Sequence, residues 1–449
     1  MGQPAEDDAL DAAIGREVEA LAAAFDLPGG SVALVRGDRT VLRAFGDACL
    51  PFAVPATPDT LFHTASVGKH ATAIALLRLL ARQGLTPAEP VGRFLDDIPD
   101  GWRDRSVASL LRHTSGIPDY GHPPFDLTRP HSRAEILAAA AERPPLFAEG
   151  EGWAYSNTNY MLAGYVIEAL SGTDFATALR AEALEPAGLP TARTDDAVTP
   201  IPGRAEPYVR RDGALRHAPR MDGAYSGYAD GPLLMSARDA ALWLRALLDG
   251  RLLGADAAGW FTAPAPLAGG LAAPYGCGVF LDTLRGRALL SHTGGLPGFT
   301  AFFAWLPEIG VGVAVLTNIS LTDSRAQRFI GHRCLEIAVP GVTALSLPDA
   351  ADDRPDWTAE MARLVLRGAE PVPPDRLAPN LRRVMAAGAG DKLFTNRAQC
   401  PPLRSVTLVE SRGHPGGTMR RYRLSHDDLT EHLSVGYDGQ GRIFWVFPD

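Results

Sequence analysis

Ser66-Val67-Gly68-Lys69 sets a hydroxyl and an amine three residues apart at the start of an apolar helical run. One helical turn brings both side chains to the same face, so the amine reaches the hydroxyl. A lysine can be tuned to give up its proton and take one from a serine, whereas an arginine stays charged. The composition sharpens this contrast: of 43 basic residues only Lys69 and Lys392 are lysine, and 41 are arginine. A lysine kept against such a bias is a candidate for work that arginine cannot do. At a helix N-terminus Ser66 also meets free N–H groups and the positive dipole end, which favour a developing oxyanion. With 18 serines and two lysines, this pairing is expected by chance well below once. The competing reading makes Ser66 an N-cap and Lys69 a surface residue left by drift.

Two further clusters carry chemistry. Tyr155-Ser156-Asn157 lies just before the helical stretch 158–171. A phenol beside a cationic lysine is expected to have its pKa lowered and to pass protons between nucleophile and leaving group. Asn157 offers an amide to a substrate carbonyl and to the lysine. The plainer alternative is a helix start, with Asn157 as cap and Tyr155 as a half-buried aromatic. His292-Thr293-Gly294-Gly295 ends the strand pattern 287–292. There a histidine and a hydroxyl can touch the bound acyl group, and the glycines admit substrate backbone. Its alternative is a glycine-rich hairpin turn. Among 11 histidines there is no HExxH and no pair at zinc spacing, so no metal and no cofactor are expected. His113 is expected to tether a loop. Arg204, Arg210, Arg211, Arg216 and Arg220 read as a solvated loop or as an anion or carrier-protein contact at a cleft mouth.

In the order SxxK, YxN, HTG, the three clusters together resemble the serine β-lactamase and penicillin-binding-protein superfamily. The likeness is to its class C β-lactamase-like branch of DD-peptidases, D-aminopeptidases and esterases. It spans about residues 10–338, and LLRHTSGIPDY (110–120) and GPLLMSARDAALWL (231–244) are similar to that branch's connecting segments. The resemblance implies Ser66 as the acylated nucleophile, Lys69 as its base partner and Tyr155 as the proton relay. It implies Asn157 as a substrate-amide contact, and an oxyanion hole made by the N–H groups of Ser66 and Gly295. His292 stands where many relatives carry lysine, which argues against efficient β-lactam hydrolysis.

These clusters need a scaffold, and the periodicities supply one. Residues 8–26 and 67–83 read as amphipathic helices, followed by helical stretches at 106–112, 132–142, 158–171, 173–184 and 236–248. Strand patterns stand at both ends: 31–37 and 40–45 around a Gly37-Asp38 turn, then 277–282, 287–292, 299–307 and 311–318. A helix at 322–337 closes the block. The fold class expected is α/β (α+β): a β-lactamase/transpeptidase-like antiparallel sheet flanked by helices, plus an all-helical region. Residues 1–338 would form this catalytic domain and 339–357 a linker without period. Residues 358–449 would form an accessory α+β domain with a curved antiparallel sheet, lipocalin-like by the same resemblance.

The 449 residues, 46% hydrophobic and 21% charged with net charge −9, exclude a disordered or fibrous chain and give no basic footprint for nucleic acid. Cys49, Cys277, Cys334 and Cys400 fit neither a disulfide framework nor a CxxC site. The first 30 residues carry acids where a signal peptide needs a basic end, and no run of about 18 apolar residues occurs. The expected location is therefore the cytoplasm, without membrane contact. A peptide available there, free or bound to a carrier protein, is the expected partner. Within the resembling branch, penicillin-binding-protein-type thioesterases release and cyclise nonribosomal peptides at a D-configured residue and carry a C-terminal accessory domain. A D-specific peptidase and a carboxylesterase are the alternatives. A non-catalytic binding module is the rival of another class, opposed by the intact Ser66, Lys69 and Tyr155.

Overall fold

A computed structural model of the chain describes residues 3–122, 125–196, 198–222, 227–320, 325–367, 372–387, 403–427 and 430–448. Seven strands form the main sheet: β1 (Gly29–Arg36), β2 (Arg39–Cys49), β3 (Val54–Pro55), β4 (Phe280–Leu284), β5 (Arg287–Leu296), β6 (Phe299–Leu306) and β7 (Val311–Thr317). Their spatial order is β4-β5-β6-β7-β1-β2-β3, every pair antiparallel. As expected, the N-terminal hairpin turns at Gly37-Asp38 and closes onto the late strands, with Gly30 opposite Thr317 and Arg36 opposite Val311.

The strands at the centre of this sheet are apolar on both faces because both are covered. Helices α1 (Gln3–Ala24) and α5 (Arg325–Ala338) cover one face, where Val32, Leu34, Phe302, Val313 and Ile330 share a core. On the other face lie α2 (Lys69–Arg82) and α4 (Ala237–Leu248), with α3 (Asn157–Ser171) packed on α2. That core joins Ala33, Val35, Ile74, Leu76, Trp243 and Phe303. Ser236 caps α4 as its sequence indicates: its hydroxyl accepts from Asp239 N–H, and the Asp239 carboxylate accepts from Ser236 N–H.

Beyond α5, helices α6 (Pro355–Arg367) and α7 (Pro379–Ala386) pack on a second sheet. It consists of β8 (Ser405–His414), β9 (Gly417–Ser425), β10 (Thr430–Asp438) and β11 (Ile443–Pro448), an antiparallel meander. Among the described residues this is four strands, half the eight of a lipocalin barrel. The segment 339–357 is not free linker. Helix α6 already begins at Pro355, and Ala350 N–H bonds the Leu408 carbonyl at 2.9 Å. Acids of this segment are ion-pair partners: Asp349 takes Arg423, and Asp352 and Asp353 take the buried Arg420. Those partners lie about 70 residues further on, beyond the reach of any local pattern.

Candidate active site

The backbone reaches Ser66 through a strained turn. Ala65 is a non-glycine residue at φ +50°, a conformation that costs on the order of 1–3 kcal/mol. It is held by its own N–H bond to His63 Nδ1 at 2.9 Å and by the bond from Thr64 N–H to the Leu233 carbonyl at 2.8 Å. Ser66 sits in a 3-10 turn (Ala65–Gly68), and the α-helix proper starts at Lys69, two residues later than its pattern predicts. The crowding of this turn against its neighbours requires glycine. A Cβ on Gly68 would lie 2.5 Å from Pro232, and one on Gly294 would lie 2.0 Å from the Thr64 carbonyl oxygen.

Lys69 is fully buried. Its amine donates to Ser66 Oγ at 3.2 Å, to Asn157 Oδ1 at 2.9 Å and to the Asp230 carbonyl. Three acceptors match three N–H bonds. Burial pulls its pKa down to about 8, while the carboxylates of Asp230 and Asp119 resist a further fall. Burial likewise raises the Asp230 pKa above its ordinary value, against the pull of Lys69 and a 2.7 Å bond from Tyr120 Oη.

Tyr155 Oη is buried in the same site with no aligned hydrogen bond among the described residues, and its ring centroid lies 5.0 Å from Lys69 Nζ. Its pKa is raised, not lowered as a phenol beside a cation is expected to be. Desolvation outweighs the pull of the Ser66 hydroxyl, and the Asp230 and Asp119 carboxylates add to it. Tyr155 is therefore a protonated phenol, a donor rather than a phenolate base. Its loop is tethered by His113 as expected: Ser156 N–H bonds His113 Nδ1 at 3.3 Å, and the His113 and Tyr155 rings lie 4.3 Å apart. Asn157 opens α3, its N–H donating to Asp119 Oδ2 at 2.8 Å.

The HTGG segment is not a turn. Strand β5 runs through it to Leu296, paired with β6 along its length. Strand alternation then separates neighbours. His292 shares the α2 side of the sheet with Phe303, and Gly294 meets the Ser66 turn on that side. Thr293 stands opposite Phe302 on the α5 side, where it lines a separate cavity. The sequence placed Thr293 with the substrate, and the structure turns its side chain away. His292 is buried, and desolvation followed by the charges of His70 and Lys69 keeps its pKa well below the ordinary histidine value. Nδ1 lies 2.6 Å from the Thr293 carbonyl, so it carries the hydrogen, and Nε2 accepts from Tyr275 Oη at 3.0 Å. With both nitrogens engaged, His292 as placed is a neutral wall of the site rather than a proton carrier. Pairing with β4 ends at Ser291, so the outer edge of β5 beyond it has no strand partner among the described residues, and Gly295 is exposed there.

Several neighbours of the site were not singled out from sequence: Asp119, Tyr120, Asp230, Tyr275 and Trp153. Asp119 and Tyr120 end the stretch 110–120, and Asp230 directly precedes 231–244, so the signal lay in segments read only as connectors. The arginine-rich stretch forms a β-hairpin, Tyr208–Arg211 with Ala214–His217. Arg204, Arg210 and Arg220 pair with Asp195, Asp26 and Glu206. Among the described residues no group of three His, Cys, Asp or Glu could hold a metal ion, and no helix is long and apolar enough to cross a membrane.

A helix-flanked antiparallel sheet that sets a buried lysine against a serine on a strained turn defines a serine hydrolase of β-lactamase fold. The chain belongs to the Beta-lactamase family, whose model matches residues 14–333. It is similar to the unguisins hydrolase ungD of Aspergillus violaceofuscus, 24% identical over 81% of this chain and 70% of that protein. The D-amino acid amidase of Ochrobactrum anthropi superposes with TM-score 0.64 at 26% identity, covering 73% of this chain and 98% of the amidase. SurE superposes with TM-score 0.64 at 24% identity, covering 98% of this chain and 92% of its own, so its fold extends through the C-terminal sheet.

Proposed function

We propose that the protein is a D-specific serine acyl-enzyme that takes the acyl end of a peptide (thio)ester or amide and passes it to an amine of the same peptide, closing a ring. The observation that carries the acyl-enzyme reading is the buried Lys69 amine 3.2 Å from Ser66 Oγ, its pKa drawn down toward neutrality. In its neutral form Lys69 accepts the Ser66 proton as Oγ bonds to the substrate carbonyl carbon. The oxyanion is met by the N–H groups of Ser66 and Gly295, and the leaving group departs with a proton relayed through the Tyr155 phenol. An incoming amine reverses these steps, giving its proton to the relay and releasing Ser66.

Specificity for a D-residue is supported by the amidase likeness, and Asn157 is the group to hold the acyl-end amide. Transfer to an amine rather than to water is supported by the aromatic wall beside His292. Trp153 and Tyr275 pack against each other there, with Tyr275 against His292 and Trp445 of the C-terminal sheet packed on Trp153. A wall of this kind favours a peptide over water next to the acyl group. The likeness to an unguisins hydrolase favours the second reading, a D-specific peptide hydrolase.

The test uses paired peptidyl thioesters that differ only in a D- or L-residue at the acyl end. A misplaced amide or side chain costs about 1–3 kcal/mol, so the D-substrate should be preferred roughly 5- to 150-fold. Mass spectrometry separates cyclic peptide from linear acid. Cyclic product from the D-substrate supports the proposal, linear acid alone moves it to the hydrolase, and equal use of both enantiomers removes D-specificity. Ser66→Ala should abolish product and the acyl mass adduct while leaving the circular-dichroism spectrum unchanged.

A further inference from the structure

Tyr155 is carried by a stretch with neither helix nor strand, residues 142–156, which Pro144, Pro145, Gly150 and Gly152 keep out of regular structure. Such a stretch has no ladder of its own to hold a side chain, so its neighbours must. Within the catalytic domain its backbone is tied to residues 113–116. Leu146 N–H bonds the Gly116 carbonyl at 2.9 Å, Gly150 N–H that of Thr114 at 3.0 Å and Ala154 N–H that of His113 at 3.0 Å. These bonds set the path of the chain and leave the Tyr155 ring to packing, because no aligned hydrogen bond holds its Oη among the described residues. The rings against it include His113 at 4.3 Å and Trp153 at 6.4 Å.

The C-terminal part of the chain grips the same stretch at three points. Trp445 of β11, buried, meets Trp153 edge-on with 4.8 Å between ring centroids. Val384 of α7 shares an apolar cluster with Phe147 and Ala154, and Arg383 beside it pairs with Glu151 at 3.1 Å. Helix α7 and strand β11 act as one piece. Ala378 N–H bonds the Ile443 carbonyl at 2.8 Å, and the Asn380 side-chain amide bonds the Phe444 carbonyl at 3.1 Å. All three contacts fall between Phe147 and Ala154, directly before Tyr155. An edge-on ring contact is directional, so Trp445 fixes how Trp153 stands behind the Tyr155 phenol.

We propose that Trp445 is a positioning residue: through Trp153 it holds the Tyr155 phenol where it hands a proton to the leaving group, which makes the C-terminal sheet part of the catalytic apparatus. The proposal rests on the reading of Tyr155 as the relay. That relay matters most for a leaving group that cannot depart as an anion. Methanol leaves the tetrahedral adduct only as the C–O bond breaks with a proton passing to its oxygen, whereas p-nitrophenolate departs without one. A displaced phenol therefore slows a methyl ester more than a p-nitrophenyl ester, while general damage to the fold slows both alike.

The test measures acylation of the full-length protein by the methyl and p-nitrophenyl esters of N-acetyl-D-phenylalanine. Trp445→Leu should lower the methyl-ester rate at least about tenfold more than the p-nitrophenyl-ester rate. Trp445→Phe, which keeps a ring against Trp153, should restore most of the ratio. Tyr155→Phe should show the same selective loss, and adding Trp445→Leu to it should change the ratio less than about twofold, because both act through one group. Arg383→Glu sets a second carboxylate against Glu151 at a half-exposed position and should shift the ratio in the same direction. It takes the place of Trp445→Leu if circular dichroism shows that variant unfolded. Independently of any substrate, 3-fluorotyrosine at position 155 should show a moved ¹⁹F resonance in Trp445→Leu and in Arg383→Glu, which removes no ring. Equal loss on both esters, an unchanged ratio, additive effects in the double variant or an unmoved resonance overturns the proposal. If Tyr155→Phe shows no selective loss, the relay reading fails and the positioning proposal falls with it. If neither ester acylates the wild type, the acyl-enzyme reading fails, and the fluorotyrosine resonance alone decides whether Trp445 positions Tyr155.

Discussion

Lys69 concentrates the chemistry of this protein in one side chain, because its environment decides whether it is a base or a charge. Lys69→Arg keeps the charge but cannot release a proton near neutral pH. The expected outcome is a loss of acylation rate on the order of 10²–10⁴-fold, read by stopped-flow mixing with a chromogenic ester; acylation near the wild-type rate would remove Lys69 as base. The pH profile carries a second expectation. The reactive form is the neutral amine, so kcat/KM should rise with pH and level off above about 8. Asp230 raises the Lys69 pKa through its carboxylate, so Asp230→Asn should lower that pKa and move the ascending limb to lower pH. The Asp230 backbone carbonyl still accepts from Lys69 in that variant. A limb that stays in place or moves upward would contradict the electrostatic account.

Strand β5 shows how an element gives residues their roles. From sequence, HTGG had two readings, a catalytic strand end and a glycine-rich turn. The structure makes it a strand, because the hydrogen-bonding partner that continues it is β6, whose own continuous apolar run fits burial on both faces. Once it is a strand, period-two alternation sends His292 and Gly294 to one side and Thr293 to the other. Gly294→Ala should therefore act at the element scale. Its Cβ would overlap the Thr64 carbonyl at 2.0 Å, pushing β5 off the Ser66 turn. We expect acylation to fall at least about tenfold and the melting temperature to drop, whereas Gly295→Ala, with open space around its Cβ, should leave the melting temperature unchanged. Equal melting temperatures for the two variants would refute the packing argument.

At the scale of the whole molecule, two sheets are joined by an aromatic cluster and by ion pairs around Asp282. Trp153, two residues before Tyr155, lies 4.8 Å from Trp445 by ring centroid, and Phe280 stacks on Phe447. Asp282 holds both Arg412 and the buried Arg421. Removing a partner from buried charge is costly, about 3–5 kcal/mol in full burial. Because Glu410 still pairs with Arg421, Asp282→Ala should lower unfolding stability by about 3 kcal/mol, the lower end of that range. Urea denaturation followed by tryptophan fluorescence measures it. A change below about 0.5 kcal/mol, the range of ordinary surface substitutions, would mean that the pair does not tie the two sheets together.

What the sequence determined by itself was local or periodic. The spacing of Ser66 and Lys69, the scarcity of lysine, the Gly37-Asp38 hairpin, the Ser236 cap and the strands at both ends all follow from residues within a turn or a strand of each other. They suffice for the family and for the sheet that its early and late strands close. The tertiary structure decided what depends on distant partners. Asp230 and Asp119 become part of the lysine's surroundings only when segments 50 or more residues away from it meet at α2. The rise in the Tyr155 pKa needed knowledge of burial, which overrides the charge of a neighbouring lysine. The stretch 339–357 read as a linker without period, and only the second sheet brings Arg420 and Arg423 to its acids. Local pattern reports conformation because backbone preferences act over a few residues. Burial and ion pairing report the fold, because they depend on which surfaces, far apart in the chain, are pressed together.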